Sequence, residues 1–335
     1  MSRYTSFLIA PLLTVLAACG GADGDGGSAN SARTPDATGA RRIAIAFDTL
    51  WVRGETESDS VFVDPWYLTA GAGGVYVSDA ERGLLAFSDS GAAMWDLAGL
   101  FGPIVVISDS VVAAVRGDRS LALFDVRTGR HTFTMATNVE QAQSLCRVTE
   151  THLLVAGSPD RLSIVDQWGG TPRTYPFPWR SLRDSVSLLQ QVTVAAPSTS
   201  PGCVIALVVG NQFALTHGED SVTLHPYVES IVVPPIRRTV ETAGDEITTR
   251  TGFVSRASAA KSVAMDDSLI YIAFGGAAPN REGLIDMYER ASGAYRSSAK
   301  LGAPIRALAT ANGILYALVS RSGVPALAAL RPHEP

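Results

Sequence analysis

The 335-residue chain is 46% hydrophobic and 18% charged, with a formal net charge of −5 at pH 7. That apolar content supplies an ample core, and the lack of basic excess removes the electrostatic footprint of a nucleic-acid binder. Valine and alanine are plentiful and long stretches of helical periodicity are scarce, so the composition points to an all-β fold.

Residues 1–19, MSRYTSFLIAPLLTVLAAC, read as a targeting segment. Arg3 supplies a basic start, and the apolar run Phe7–Ala18 is shorter than the ~20 residues a membrane span needs. Leu16-Ala17-Ala18-Cys19 resembles a bacterial lipobox. The resemblance implies that Cys19 is diacylated and becomes the mature N-terminus; an ordinary secretory signal or a short anchor are the other readings of the segment. Two or three acyl chains hold a protein stably on a bilayer. Gly20 follows in place of the Asp of an inner-membrane retention signal, which implies the outer membrane in a cell that has one. The expected location is therefore extracytoplasmic and lipid-anchored. Residues 20–40 are low in complexity, with no large apolar side chain, and form a flexible tether.

From residue 41 to 335 one unit recurs. Its clearest copy is VYVSDAERGLLAFSDSG, residues 75–91: a β-run, a polar turn, a second β-run and a second turn. Six copies occupy residues 65–99, 103–137, 143–178, 192–229, 262–301 and 304–332. Their spacing of about 40 residues is that of four-stranded propeller blades. The last copy lacks a fourth strand. The run RIAIAFDTLWV, residues 42–52, precedes the first copy and predicts a closing strand for the last, with Ile43, Ile45 and Phe47 buried.

The repeats resemble those of six-bladed β-propellers of the NHL-like and TolB-like kind. The resemblance rests on Val75-Tyr76-Val77-Ser78-Asp79, Leu85-Ala86-Phe87 and Ser88-Asp89-Ser90-Gly91, with Phe124-Asp125 and Thr128-Gly129 as a second close fit. It implies architecture, not activity, because such propellers include hydrolases, lyases and binding scaffolds.

No catalytic signature stands out: the chain lacks a nucleophile elbow, a phosphate loop and any metal-ligand spacing among its five histidines. No catalytic residue, metal ligand or cofactor is assigned. Asp79, Asp118 and Asp160 recur in the turn between second and third strands, where Asp serves its own backbone. Cys146 and Cys203 fall in adjacent repeats and either pair as a disulfide or act as two small buried hydrophobes. The expected function is non-catalytic binding or scaffolding of an envelope protein or small ligand; the alternative is an extracytoplasmic hydrolase, metal-dependent, with its site at the channel mouth. The candidate binding face lies on three long loops. One join carries Tyr175, Phe177, Trp179, Arg180 and Arg183. A second carries Arg237, Arg238, Arg250, Phe253 and Arg256, and the long turn of the fifth copy carries Arg281. Aromatic and arginine side chains dominate binding hot spots, while the bland alternative has Phe177 and Trp179 plugging the surface and the arginines solvated.

Overall fold

The computed structural model describes residues 43–54, 61–135, 142–157, 162–182, 187–197, 199–229, 231, 233–243, 246–254, 258–275 and 283–333. Residues 1–42, which include the lipobox-like stretch with Cys19, lie outside them. Strand β1 (Phe47–Arg53) precedes sheet I, made of β2 (Pro65–Gly71), β3 (Gly74–Asp79), β4 (Gly83–Phe87) and β5 (Ala93–Leu97). Sheet II holds β6 (Phe101–Ser108), β7 (Val111–Arg116), β8 (Leu121–Asp125) and β9 (His131–Met135), and sheet III holds β10 (Ser144–Arg147), β11 (His152–Ala156), β12 (Leu162–Asp166) and β13 (Arg173–Thr174). Sheet IV holds β14 (Val192–Ala195), β15 (Val204–Leu207), β16 (Gln212–His217) and β17 (Ser221–Pro226). A separate hairpin follows, β18 (Ile236–Ala243) with β19 (Glu246–Phe253). Sheet V holds β20 (Ser262–Met265), β21 (Leu269–Ala273), β22 (Leu284–Glu289) and β23 (Tyr295–Lys300). Sheet VI is β24 (Ile305–Ala311), β25 (Ile314–Arg321), β26 (Val324–Pro332) and β1.

Each sheet is an antiparallel meander, and the six first strands neighbour one another in a ring around a central channel. The continuous apolar runs follow from this arrangement. Side chains alternate across a strand, and both faces of each middle strand meet another sheet. In sheet I, Val75, Val77, Leu85 and Phe87 pack toward sheet VI, while Tyr76, Leu84 and Ala86 pack toward sheet II. Six apolar clusters fill the six seams in this way.

Strand β1 pairs with β26 from Phe47 opposite Pro332 to Arg53 opposite Leu327, giving sheet VI its outer strand. Just before it, Ser298 on the outer strand of sheet V donates to the Ile43 carbonyl at 2.7 Å and accepts from the Ile45 amide at 2.9 Å, so the entering chain ties sheets V and VI together. This is a rim position with one side open to water. Ile43 is accordingly 58% exposed, and Ile45 and Phe47 are half-buried rather than core.

A second device recurs at the seams. An aromatic on the outer strand of one sheet lies over a left-handed glycine in the last turn of the next. A Cβ on Gly91 would stand 2.9 Å from Trp51, and one on Gly129 2.8 Å from Trp95. His225 covers Gly293 in the same manner. The indoles also donate across the seam, Trp51 Nε1 to the Asp89 carbonyl at 2.7 Å and Trp95 Nε1 to the Val126 carbonyl at 2.9 Å.

Candidate binding face

In this topology the chain's four-strand zigzag fixes two faces. The turns between second and third strands and the joins from one sheet to the next emerge on one face, here called the join face. The other turns emerge on the opposite, turn face. First strands begin at the join face, which places Trp66, Lys261 and Arg306 at one end of the central channel, a cavity of about 290 Å³ lined by all six first strands.

Trp66 is 58% exposed there. Arg306 pairs with Asp64 at 3.0 Å, donates to the Pro65 carbonyl at 3.3 Å and stands 5.9 Å from the Trp66 ring centroid, a cation–π distance. The pair also ties sheet VI to the entrance of sheet I. These three residues were not singled out in the sequence; the signal for them is their place at the start of first strands.

The channel wall is polar in part, and three of its hydroxyls are committed to seams. Ser144 Oγ accepts from the Val194 amide at 3.0 Å, Ser262 Oγ accepts from the Leu308 amide at 2.9 Å, and Thr310 Oγ1 donates to the Met265 carbonyl at 2.7 Å. None is positioned as an activated nucleophile. Among the described residues no three His, Cys, Asp or Glu side chains converge as metal ligands would. The turn acids serve the backbone: the fully buried Asp79 accepts from the amides of Val63, Asp64, Glu81 and Arg82 at 2.8–3.1 Å. Hydrogen bonds from the Ser120 hydroxyl and amide hold the Asp118 carboxyl below its usual range. Asp160 lies outside the described residues.

The join from sheet III to sheet IV corrects the expectation for its aromatics. Tyr175 and Trp179 are 2% and 4% exposed and belong to the apolar cluster between the two sheets, with Phe177 partly buried against it, 5.4 Å from Trp179 edge to face. Burial, with the charge of Asp220, pushes the Tyr175 phenol up to about 12. Tyr175 and Trp179 hold the join down and present no surface to a partner, while Phe177 keeps part of its ring exposed. Arg180 opens a short 3-10 turn, and Arg183 lies outside the described residues.

The join from sheet IV to sheet V carries the hairpin. Its two eight-residue strands pair in register from Ile236 opposite Phe253 to Ala243 opposite Glu246 and belong to no larger sheet. Arg237, Arg238, Thr239 and Val240 are exposed, Phe253 is half-buried, and Arg250 sits opposite Thr239. Arg256 and Arg281 lie outside the described residues.

Cys146 and Cys203 form a disulfide between sheets III and IV, with Cα atoms 6.0 Å apart. The Gly202 amide donates to the Arg147 carbonyl at 2.9 Å beside it. His152 on sheet III meets Glu219 on sheet IV at 2.8 Å, and Arg173 meets the same carboxylate at 2.8 Å.

No protein-family model matches the chain, and no curated protein matches it. Solved structures do. U3-55K superposes with a TM-score of 0.52 at 12% identity, covering 84% of this chain and 98% of that one. The β-propeller domain of Cps50 (Swd1) from Myceliophteria thermophila gives 0.49 at 9% identity, covering 80% and 96%. BamB from Moraxella catarrhalis gives 0.43 at 13% identity, covering 84% and 91%. At such identities a likeness concerns the fold alone; the ring of four-stranded antiparallel meanders is by its own topology that of a β-propeller.

Proposed function

We propose that the protein is a membrane-anchored, extracytoplasmic propeller that binds a partner protein of the cell envelope on its join face, without catalysis. In this reading its six sheets are the six blades of a ring of the NHL-like and TolB-like kind, and Cys19 carries the lipid. The location rests on the lipobox-like Leu16-Ala17-Ala18-Cys19.

The observation that carries the binding role is the hairpin. A two-stranded ribbon outside every larger sheet leaves backbone donors and acceptors along its edges, a template for an added strand. Its exposed Arg237 and Arg238 supply the planar donors that favour protein contacts. It stands on the face where the channel mouth displays Trp66. The test replaces Ile236–Phe253 by a short Gly-Ser link and compares partner capture from solubilised membranes of the source cells. Loss of a specific partner at an unchanged melting temperature is the expected result; the same partner recovered in the same yield overturns the reading. Fractionation of Cys19→Ala tests the anchor, which fails if the variant remains as membrane-bound as the parent.

A further inference from the structure

At three seams the outer-strand aromatic covers the next sheet's last turn: Trp51 on Gly91, Trp95 on Gly129 and His225 on Gly293. The seam from sheet III to sheet IV has no such contact, with nothing within 4 Å of a Cβ on Gly218 and no aromatic on β13, and the seam from sheet II to sheet III lacks it despite an aromatic on its outer strand. Phe133 holds the corresponding position, opposite Leu123 on β8 as Trp95 stands opposite Ala86 on β4. It is nevertheless 48% exposed, and nothing lies within 4 Å of where a Cβ on Gly169 would be. The receiving turn, Gln167-Trp168-Gly169-Gly170, closes tightly through the Gly169 amide to the Asp166 carbonyl at 3.1 Å and holds Trp168 out at 70% exposure.

The result is a cavity of about 560 Å³ on the turn face, walled by Ile107, Val111, Leu123, Phe133 and Trp168. Ser108, Thr132 and Glu150 edge it, and the Glu150 carboxylate stands 3.9 Å from Arg147 Nη1. Arg147 and Gln167 also line it, 6% and 8% exposed. The Arg147 Nε donor and the Gln167 Oε1 acceptor have no hydrogen-bond partner. Arg147 is otherwise fixed, donating through Nη1 to the Ile107 carbonyl at 2.5 Å. A buried polar atom without a bond is costly, and an amide answers both: its carbonyl oxygen accepts from Nε and its N–H donates to Oε1, from two separate atoms where a hydroxyl offers one. The open space around Gly169 leaves the turn room to shift and admit it.

We infer that this cavity is a peptide-binding site: an extended segment of a partner protein places an apolar side chain between Phe133 and Trp168 and turns its main-chain amide to Arg147 and Gln167. The mainly apolar wall favours this occupant over a sugar, whose hydroxyls would need many more polar partners. The site lies on the face opposite the hairpin and stands or falls independently of the function proposed above.

The probe is N-acetyl-L-leucinamide, titrated into the full-length protein and followed by saturation-transfer NMR on the probe. The controls are 3-methylbutanol, which keeps the apolar group and lacks the amide, and methyl glucoside. Saturable binding on the order of millimolar is expected for so small a fragment. Trp168→Ala, a change at an exposed position, weakens it about tenfold or more. Gln167→Met, similar in shape and lacking the acceptor, weakens it roughly two- to tenfold. Phe133→Trp fills the seat as Trp95 does at the preceding seam and blocks the probe. Thermal melts confirm that each variant is folded. The inference is overturned by absence of saturable binding, or by affinity unchanged in both Trp168→Ala and Phe133→Trp. It is equally overturned if 3-methylbutanol binds as well as the amide, or if methyl glucoside binds more tightly.

Discussion

Two neighbouring seams are built from nearly the same parts and close differently. Between sheets I and II, Trp95 lies on Gly129 and donates to the Val126 carbonyl at 2.9 Å. Between sheets II and III, Phe133 occupies the corresponding strand position, yet the turn beyond it is uncovered. The turns themselves differ: the Gly129 amide reaches back four residues to the Asp125 carbonyl, whereas the Gly169 amide reaches back three, to Asp166. Reach alone does not decide the closure, since the Gly91 amide also reaches back three residues, to Ser88, and Trp51 covers it; the turn between β12 and β13 differs in holding Trp168 out at 70% exposure. An aromatic on the outer strand seals the seam where it lies on a left-handed glycine of the receiving turn, as Trp51, Trp95 and His225 do and Phe133 does not. At the seam between sheets II and III the missing contact goes with a cavity lined by Arg147 and Gln167, whose Nε and Oε1 have no hydrogen-bond partner.

The largest expected effect comes from removing a closed seam altogether. Deleting Phe47–Arg53 strips sheet VI of its outer strand and takes away Trp51, which covers Gly91 and stands 6.0 Å from the Tyr316 ring centroid. A loss above about 3 kcal/mol is expected, since removing one packed aromatic alone costs that much. Deleting the low-complexity residues 20–40 should leave the melting temperature unchanged. Equal melting temperatures for the two truncations would show that β1 does not close the ring.

Next comes the covalent seam. Cys146→Ser combined with Cys203→Ser removes a link between residues 57 apart in sequence. Loop-closure entropy puts the loss at about 4 kcal/mol. Thermal unfolding of the double variant, and of the parent with and without reductant, measures it. A parent melt indifferent to reductant means that the bond contributes little.

A paired substitution sharpens the comparison of the two turns. Gly129 and Gly169 both adopt left-handed backbone, φ 67° and 104°, so alanine strains each. Only at Gly129 would the new methyl also meet an indole. Gly129→Ala is expected to lose about 1–3 kcal/mol more than Gly169→Ala. Chemical denaturation gives both values, and equal losses would show that the Trp95 contact is loose.

The smallest effect is a pH dependence at the seam between sheets IV and V. His225 packs on Phe213, with ring centroids 5.4 Å apart, and burial, followed by the charge of His217, holds its pKa below the ordinary imidazole value. The folded protein thus disfavours the charged ring. The stabilisation is fully present above about pH 6.5 and is lost as pH falls toward the lowered pKa. His225→Phe should remove that part of the pH dependence of the melting temperature; an unchanged profile would assign it to other groups.

Some of the misreadings have one cause. Tyr175, Phe177 and Trp179 have the composition of a hot spot, but an aromatic on a long join looks the same in sequence whether it faces water or a neighbouring sheet. Here the apolar walls of sheets III and IV draw these rings in. His225, on the outer strand of sheet IV, is likewise drawn half under cover by Phe213 and Gly293. In the opposite direction, Gln167-Trp168-Gly169-Gly170 reads only as a turn, and nothing local marks Trp168 as one wall of a cavity. Whether Cys146 and Cys203 bond depends on how two repeats are placed in space, which no spacing along the chain specifies.

By itself the sequence determined the all-β repeat architecture, because a strand buried on both faces must be apolar throughout and its turns must carry Gly, Asp and Ser; both demands are local. Which aromatics are sealed and which stand open, which cysteines meet, and where unpaired polar atoms gather were decided by tertiary structure alone. Each depends on the register between one sheet and the next, and that register is set by contacts between residues roughly one repeat apart in the chain.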